Sequence, residues 1–293
     1  HLNGMFFIPF INIFEYRLQW RKSSETISLI FSYHPFKKEI TMKKKLMLVL
    51  LTCCFMAAFS TQAYSADVKT VLDKMIAAQG GDVLKTIKSS HSVGKIKIIP
   101  QGVEGPMTIK AVFPGKFKSE VEIMGMKFIQ ATDGKMGWVD NPMQGGLKKM
   151  SPKETKSALR GAVGFGDLLE PSKHGLTYAL KANETVDGKS YLVLERKYED
   201  GKSSTLYIDS KTYLPAFSKS KRDTQMGEMD VKTILSDYKK VNGVMSAHKM
   251  VQYMNGQLYL EILWDKVEYN TPVKNAIFNM PEIKKAEEPA KKK

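Results

Sequence analysis

Apolar and polar residues change period twice along the chain. From Asp67 onward Val68, Val71, Leu72, Met75 and Ile76 recur at helical spacing, and Gly80-Gly81 follows as a stop. Asp82 then opens a second short turn carrying Val83, Leu84 and Ile87. Beyond Ser90 the period becomes two. In "PMTIKAVF" Met107, Ile109, Ala111 and Phe113 alternate with Thr108, Lys110 and Val112; in "KFKSEVEI" Phe117, Val121 and Ile123 alternate with Lys118, Glu120 and Glu122. Such alternation marks strands with one buried face. Asp133-Gly134, Asp187-Gly188, Asp200-Gly201, Asn242-Gly243 and Asn255-Gly256 tolerate the positive φ angles of tight hairpins, and their spacing predicts a meander of about ten antiparallel strands.

One segment interrupts the meander. In "SPKETKSALRGAVGFGDLLEP" Ser151 is placed as N-cap, Pro152 at the first helical position and Glu154 three residues after the cap, a capping box. Its apolar residues Ala158, Leu159, Ala162 and Val163 are small or few, so Pro152–Leu169 reads as a weakly held helix across one face or end of the sheet, a candidate lid. The class is therefore α+β, mainly β. Alternation assigns Ile109, Phe113, Phe117, Val121, Ile123, Phe128 and Trp138 to one interior together with Leu206, Ile208, Leu258, Leu260 and Ile262. Residues 282–293, "EIKKAEEPAKKK" with its first Glu at 282, have no apolar period and are expected to be disordered.

Upstream, "MKKKLMLVLLTCCFMAAFSTQAYSADVK" from Met42 has the basic start, apolar run and small-residue cleavage site of a secretory signal peptide over 42–65. A signal in that position implies that 1–41 is translated leader. Lys38-Glu39-Ile40 can be encoded AAG-GAG-AT, a ribosome-binding sequence just before the Met42 codon. The other reading is a true extension with Met42–Phe59 as anchor, although that apolar run is short against the roughly 20 residues a spanning helix needs. On the signal reading the mature chain starts at Ala66 or Asp67, the domain is 66–281, and the protein is periplasmic. Both cysteines, Cys53 and Cys54, leave with the signal; acylation at Cys53 is the alternative, but Thr52 stands where a small Gly, Ala or Ser normally precedes that cysteine.

The whole chain carries a formal charge of +15, and lysines dominate it. A basic balance favours anionic surfaces, and anionic lipid is the expected counterpart; the lysines are scattered rather than clustered with aromatics, so no nucleic acid is expected. Solvated strand faces account for them equally well. The histidines His91, His174 and His248 are isolated, and no His or Cys stands at metal-ligand spacing. There is no nucleophile elbow and no phosphate-binding loop, so no enzyme, cofactor or metal is expected. Gly161, Gly164 and Gly166 follow a helix rather than a strand and read as chain flexibility. Met107, Met124, Met126, Met136, Met226, Met229, Met250 and Met254 fill a core or form an adaptable lipid-binding face.

"PGKFKSEVE" from Pro114, "TDGKMGWVDNP" from Thr132, "STLYIDSKTYLPAFSK" from Ser204 and "VEYNTPVKNAIFNMP" near the end are short motifs in a helix–meander–helix–meander order. Together they resemble the periplasmic lipoprotein carriers of the LolA/LolB fold over nearly all of 66–281. The resemblance implies an unclosed antiparallel β-barrel covered by helices, with an acyl chain of a lipoprotein or phospholipid in its cavity. It also implies a monomer served by a membrane donor or acceptor protein. Where the carriers have an arginine that latches the lid, this chain has Lys118, a point charge in place of a planar fork. A sensor that detects lipoproteins and signals to a membrane partner is the second reading, and an enzyme on this scaffold the third.

Overall fold

The computed structural model describes residues 67–224 and 227–282. The leader, the signal segment and the tail beyond Glu282 lie outside the described residues. Helix α1 (Val68–Gln79) and the short α2 (Val83–Thr86) form where the helical spacing places them. Gly80 ends α1 at φ 148°, and a Cβ there would stand 2.9 Å from the carbonyl oxygen of Gly243, so both backbone conformation and close approach to a strand turn require glycine.

Fourteen strands follow among the described residues, more than the alternation predicts. On one side of the inserted helix lie β1 (Ser89–Ile98), β2 (Val103–Val112), β3 (Lys116–Ile123), β4 (Met126–Asp133), β5 (Gly137–Asn141) and β6 (Gly146–Lys149). Next come α3 (Pro152–Gly161) and the single turn α4 (Gly166–Leu169). The remaining strands are β7 (Leu176–Leu180), β8 (Glu184–Val186), β9 (Lys189–Tyr198), β10 (Ser203–Asp209), β11 (Pro215–Thr224), β12 (Gly227–Val241), β13 (Val244–Met254) and β14 (Gln257–Tyr269). The uncounted strands are the short ones. Three to five residues, as in β5 to β8, are too few to display a period.

All strands join one antiparallel sheet in the order β6-β5-β4-β3-β2-β1-β14-β13-β12-β11-β10-β9-β7, with β8 paired to β9. The path has two ends, so the sheet is an unclosed barrel. β1 pairs with β14 from Ser90–Tyr269 to Ile98–Leu260, which brings the start and end of the domain together at the centre of the sheet. Asp187-Gly188, Asn242-Gly243 and Asn255-Gly256 take positive φ at both positions, as two-residue hairpins need. Met124-Gly125 does the same without a polar residue at its first position, and its methionine is exposed.

Successive residues of a strand face opposite sides, and residues paired across strands share a side. One side carries the helices. Val71 and Met75 of α1 pack with Leu168 on Leu194 of β9 and Ile208 of β10. Ala158 and Ala162 of the α3 segment pack on Ala111 of β2 and Phe117 of β3. Leu84, Ile87 and Val244 join the two covers, with Phe113, Phe165 and Tyr269 against them. We call this helix-covered side the inner face. A smaller cluster of Tyr191, Val193, Tyr207 and Phe217 sits on the outer face, with the Tyr207 and Phe217 rings stacked at 4.1 Å.

Candidate functional site

The inner face, read through the strand registers, forms rows. Leu235 stands opposite Met250, Met250 opposite Ile262, Ile262 opposite Ile96. A neighbouring row runs Leu194, Leu206, Ser218, Thr233, Gln252, Leu260, Ile98. On the other wing Met107 faces Val121, and Val121 faces Phe128. Much of this surface is fully buried, but Ile109, Leu206, Leu235 and Met250 are half-buried, so apolar area remains beyond what the helices cover. Within it the buried Oε1 of Gln252 has no protein partner, while its Nε2 donates to the Thr233 hydroxyl at 3.2 Å.

Ile109, Phe117, Val121, Ile123 and Phe128 share this face with Leu206, Ile208, Leu260 and Ile262, and Phe113 packs at its margin against α2 and α3. Two expected members are elsewhere. Trp138 pairs with Ala131, whose partner Lys118 is on the outer side, and its indole N–H donates to the carbonyl of Phe278 at 2.8 Å. The closing turn Asn275–Phe278 covers it there. The phase of alternation is reset across the tight Asp133–Met136 turn, which reverses the face that simple counting assigns. Leu258 pairs with Tyr253, one residue past a register slip that leaves Tyr259 unpaired, and this puts it on the outer side as well.

Lys118 also points outward, where it forms an ion pair with Glu120 at 3.0 Å. It therefore cannot reach a helix on the inner face, and the latch assignment is corrected. The segment is held by other groups. Arg160 donates to Asp200 at 2.5 Å and lies 5.1 Å from the Tyr198 ring, and Arg196 reaches Asp167 at 3.5 Å. Burial alone would raise the Asp200 carboxyl, but the Arg160 hydrogen bond and the Lys202 amide outweigh it and hold the group below its ordinary value. No sequence signal joins Arg160 to Asp200, because the pair is local only in space.

The capping box forms as expected. Ser151 Oγ accepts from the Glu154 amide at 3.3 Å and the Glu154 carboxylate accepts from the Ser151 amide at 2.7 Å. Ala158 and Ala162 are fully buried, Leu159 and Val163 half-buried. The Gly115 amide donates to the Ala162 carbonyl at 2.7 Å, tying the helix end to the β2–β3 turn. Gly164 is no mere flexible link: at φ 64°, a Cβ there would come 2.8 Å from the Phe113 ring. Among the histidines, His248 is buried with Nδ1 3.0 Å from the Ser246 carbonyl, and His91 lies 3.5 Å from Glu268. Among the described residues no three His, Cys, Asp or Glu side chains are grouped to hold a metal. No helix among them is long and apolar enough to cross a membrane.

Comparison with solved structures finds similar chains. A DUF1329 family protein from Desulfovibrio piger is 17% identical and matches 72% of this chain and 97% of its own with a TM-score of 0.51. The fold is shared with that protein. A putative outer membrane lipoprotein-sorting protein domain from Vibrio parahaemolyticus matches at 13% identity, 71% and 94% coverage and TM-score 0.49. A LolA superfamily protein from Nitrosomonas europaea matches at 15% identity, 72% and 96% coverage and TM-score 0.48. The architecture shared with the Desulfovibrio piger protein is an open antiparallel sheet with helices on its inner face. No family model and no curated protein matches the chain.

Proposed function

We propose that this protein is an exported carrier that binds acyl chains of lipoproteins or phospholipids along the inner face of its sheet and moves them between membranes. It does so as a monomer without covalent chemistry, exchanging cargo with a membrane donor or acceptor protein. The observation that carries the reading is the half-buried apolar surface of Ile109, Leu206, Leu235 and Met250 on a face otherwise closed by helices. Each methylene moved from water to such a surface contributes about 0.8 kcal/mol, close to a fourfold gain in affinity. Titration with saturated fatty acids of increasing length is therefore expected to show affinity rising about three- to fourfold per carbon until the groove is filled. Affinity independent of chain length defeats the proposal.

Loading proceeds by displacement of α3. The helix is seated by two alanines, by the Arg160–Asp200 pair and by two hydrogen bonds, Gly115 amide to Ala162 carbonyl and Gly137 amide to the buried Thr155 hydroxyl, far fewer than join the strands, so its opening costs less than opening the sheet. Asp200→Asn removes the Arg160 pair, worth about 1 kcal/mol at this exposure, and is expected to speed amide exchange in 152–161 roughly fivefold. Acyl-probe loading accelerates with it. Unchanged exchange in α3 would show that Arg160–Asp200 is no latch.

A further inference from the structure

One row of the inner face is apolar at its two ends and polar in the middle. Leu194 and Leu206 stand at one end, Leu260 and Ile98 at the other, and between them the adjacent strands β11, β12 and β13 contribute Ser218, Thr233 and Gln252. Gln252 is 3% exposed, and its Oε1 has no hydrogen-bond partner in the protein. The other buried side-chain atoms without a partner among the described residues, on Gln101, Asn141 and Thr271, lie at or beyond the ends of strands. Gln252 instead lies inside β13, with a paired strand on each side.

The two ends of its amide are in different situations. Nε2 donates to the Thr233 hydroxyl at 3.2 Å, which leaves the carbonyl end to the groove. Having accepted that bond, the Thr233 hydroxyl still has its own proton to donate. An acceptor and a donor on neighbouring strands, whose backbones lie about 5 Å apart, match a hydroxyl, the small group that donates and accepts through one atom. Plain hydrocarbon laid on the same spot would leave the Gln252 carbonyl buried and unpaired. Ser218, next in the row, lines a cavity of about 470 Å³ that also reaches Ser157 and Val163 of the α3 segment, so the polar part of the row opens onto space. The neighbouring inner-face residues Leu206, Leu235 and Met250 are half-buried, as contact with a bound chain requires.

We propose that Gln252, with Thr233, receives a hydroxyl carried on the hydrocarbon part of an acyl chain, so that the cargo class is hydroxylated acyl chains. The inference rests on the carrier reading and names the substrate class of that same face. Isothermal titration of the full chain compares stearic acid with the hydroxystearic acids whose hydroxyl is stepped along the chain from carbon 3 to carbon 17, and with the oxostearic acid matching the tightest of them. A purely apolar groove binds every hydroxylated isomer more weakly than stearic acid, because the hydroxyl gives up water and finds no partner. Here at least one isomer is expected to bind about tenfold more tightly than stearic acid, and its ketone counterpart, which cannot donate, about tenfold less tightly than that isomer. Gln252→Leu is expected to reverse the order, so that stearic acid binds more tightly than the isomer. Thr233→Val is expected to shrink the preference in the same direction, and it keeps the test in force if the Gln252 variant fails to fold.

Stearic acid that binds as tightly as every hydroxylated isomer overturns the proposal and leaves the carrier reading standing. A hydroxyl preference that survives both substitutions, or a ketone that binds as tightly as the alcohol, overturns it as well, since neither outcome passes through the Gln252 carbonyl. Binding of none of these acids by the folded protein defeats the carrier reading and this inference with it.

Discussion

Met250→Asp is expected to weaken binding of a long-chain fatty acid at least a hundredfold while leaving the protein folded. Met250 lies in the middle of the inner face, opposite Leu235 on one side and Ile262 on the other. An aspartate there puts an ionised carboxylate against the cargo, where desolvating it without a partner costs several kcal/mol. Because Met250 is only half-buried, the empty protein can keep that carboxylate hydrated, and the penalty falls on the loaded state. Fluorescence titration measures the affinity and far-ultraviolet circular dichroism the fold. A folded variant with undiminished affinity removes the centre of the inner face from the site.

Leu194→Ala tests the cover instead of the groove. Leu194 is fully buried in the cluster that joins Val71 and Met75 of α1 to Ile208 of β10. Truncating it removes transfer energy and leaves a cavity that the facing helix cannot fill, at a cost of about 2–5 kcal/mol. Leu263→Ala, at an exposed position of β14, is the matched control and is expected to change stability by less than about 0.5 kcal/mol. Urea denaturation measures both. Similar midpoints for the two variants contradict the packing of α1 on the sheet.

The parts of this fold that are legible in the sequence are those with local chemistry. The capping box from Ser151 to Glu154, the stop at Gly80-Gly81 and the Asn-Gly hairpins each depend on residues a few positions apart, and each appears where the chain spells it. Faces are legible only while alternation is unbroken. Trp138 follows a tight turn in a strand of just five residues, and Leu258 lies beyond a bulge, so their sides cannot be counted from a neighbour. Lys118 shows the converse: alternation already places it opposite Phe117, and only the family resemblance suggests a latch.

The Arg160–Asp200 clasp is hidden for a different reason: its partners are 40 residues apart in sequence and meet only where α3 lies against the turn between β9 and β10, so the pair has long-range spacing and no motif.

Mass spectrometry of lipid extracted from the full-length protein, purified without detergent from the periplasm, tests the central claim most directly. The account predicts acyl-bearing molecules recovered in near-stoichiometric amount from the native protein and depleted from Met250→Asp. Recovery of no lipid from the folded native protein, or of equal amounts from both proteins, would contradict it.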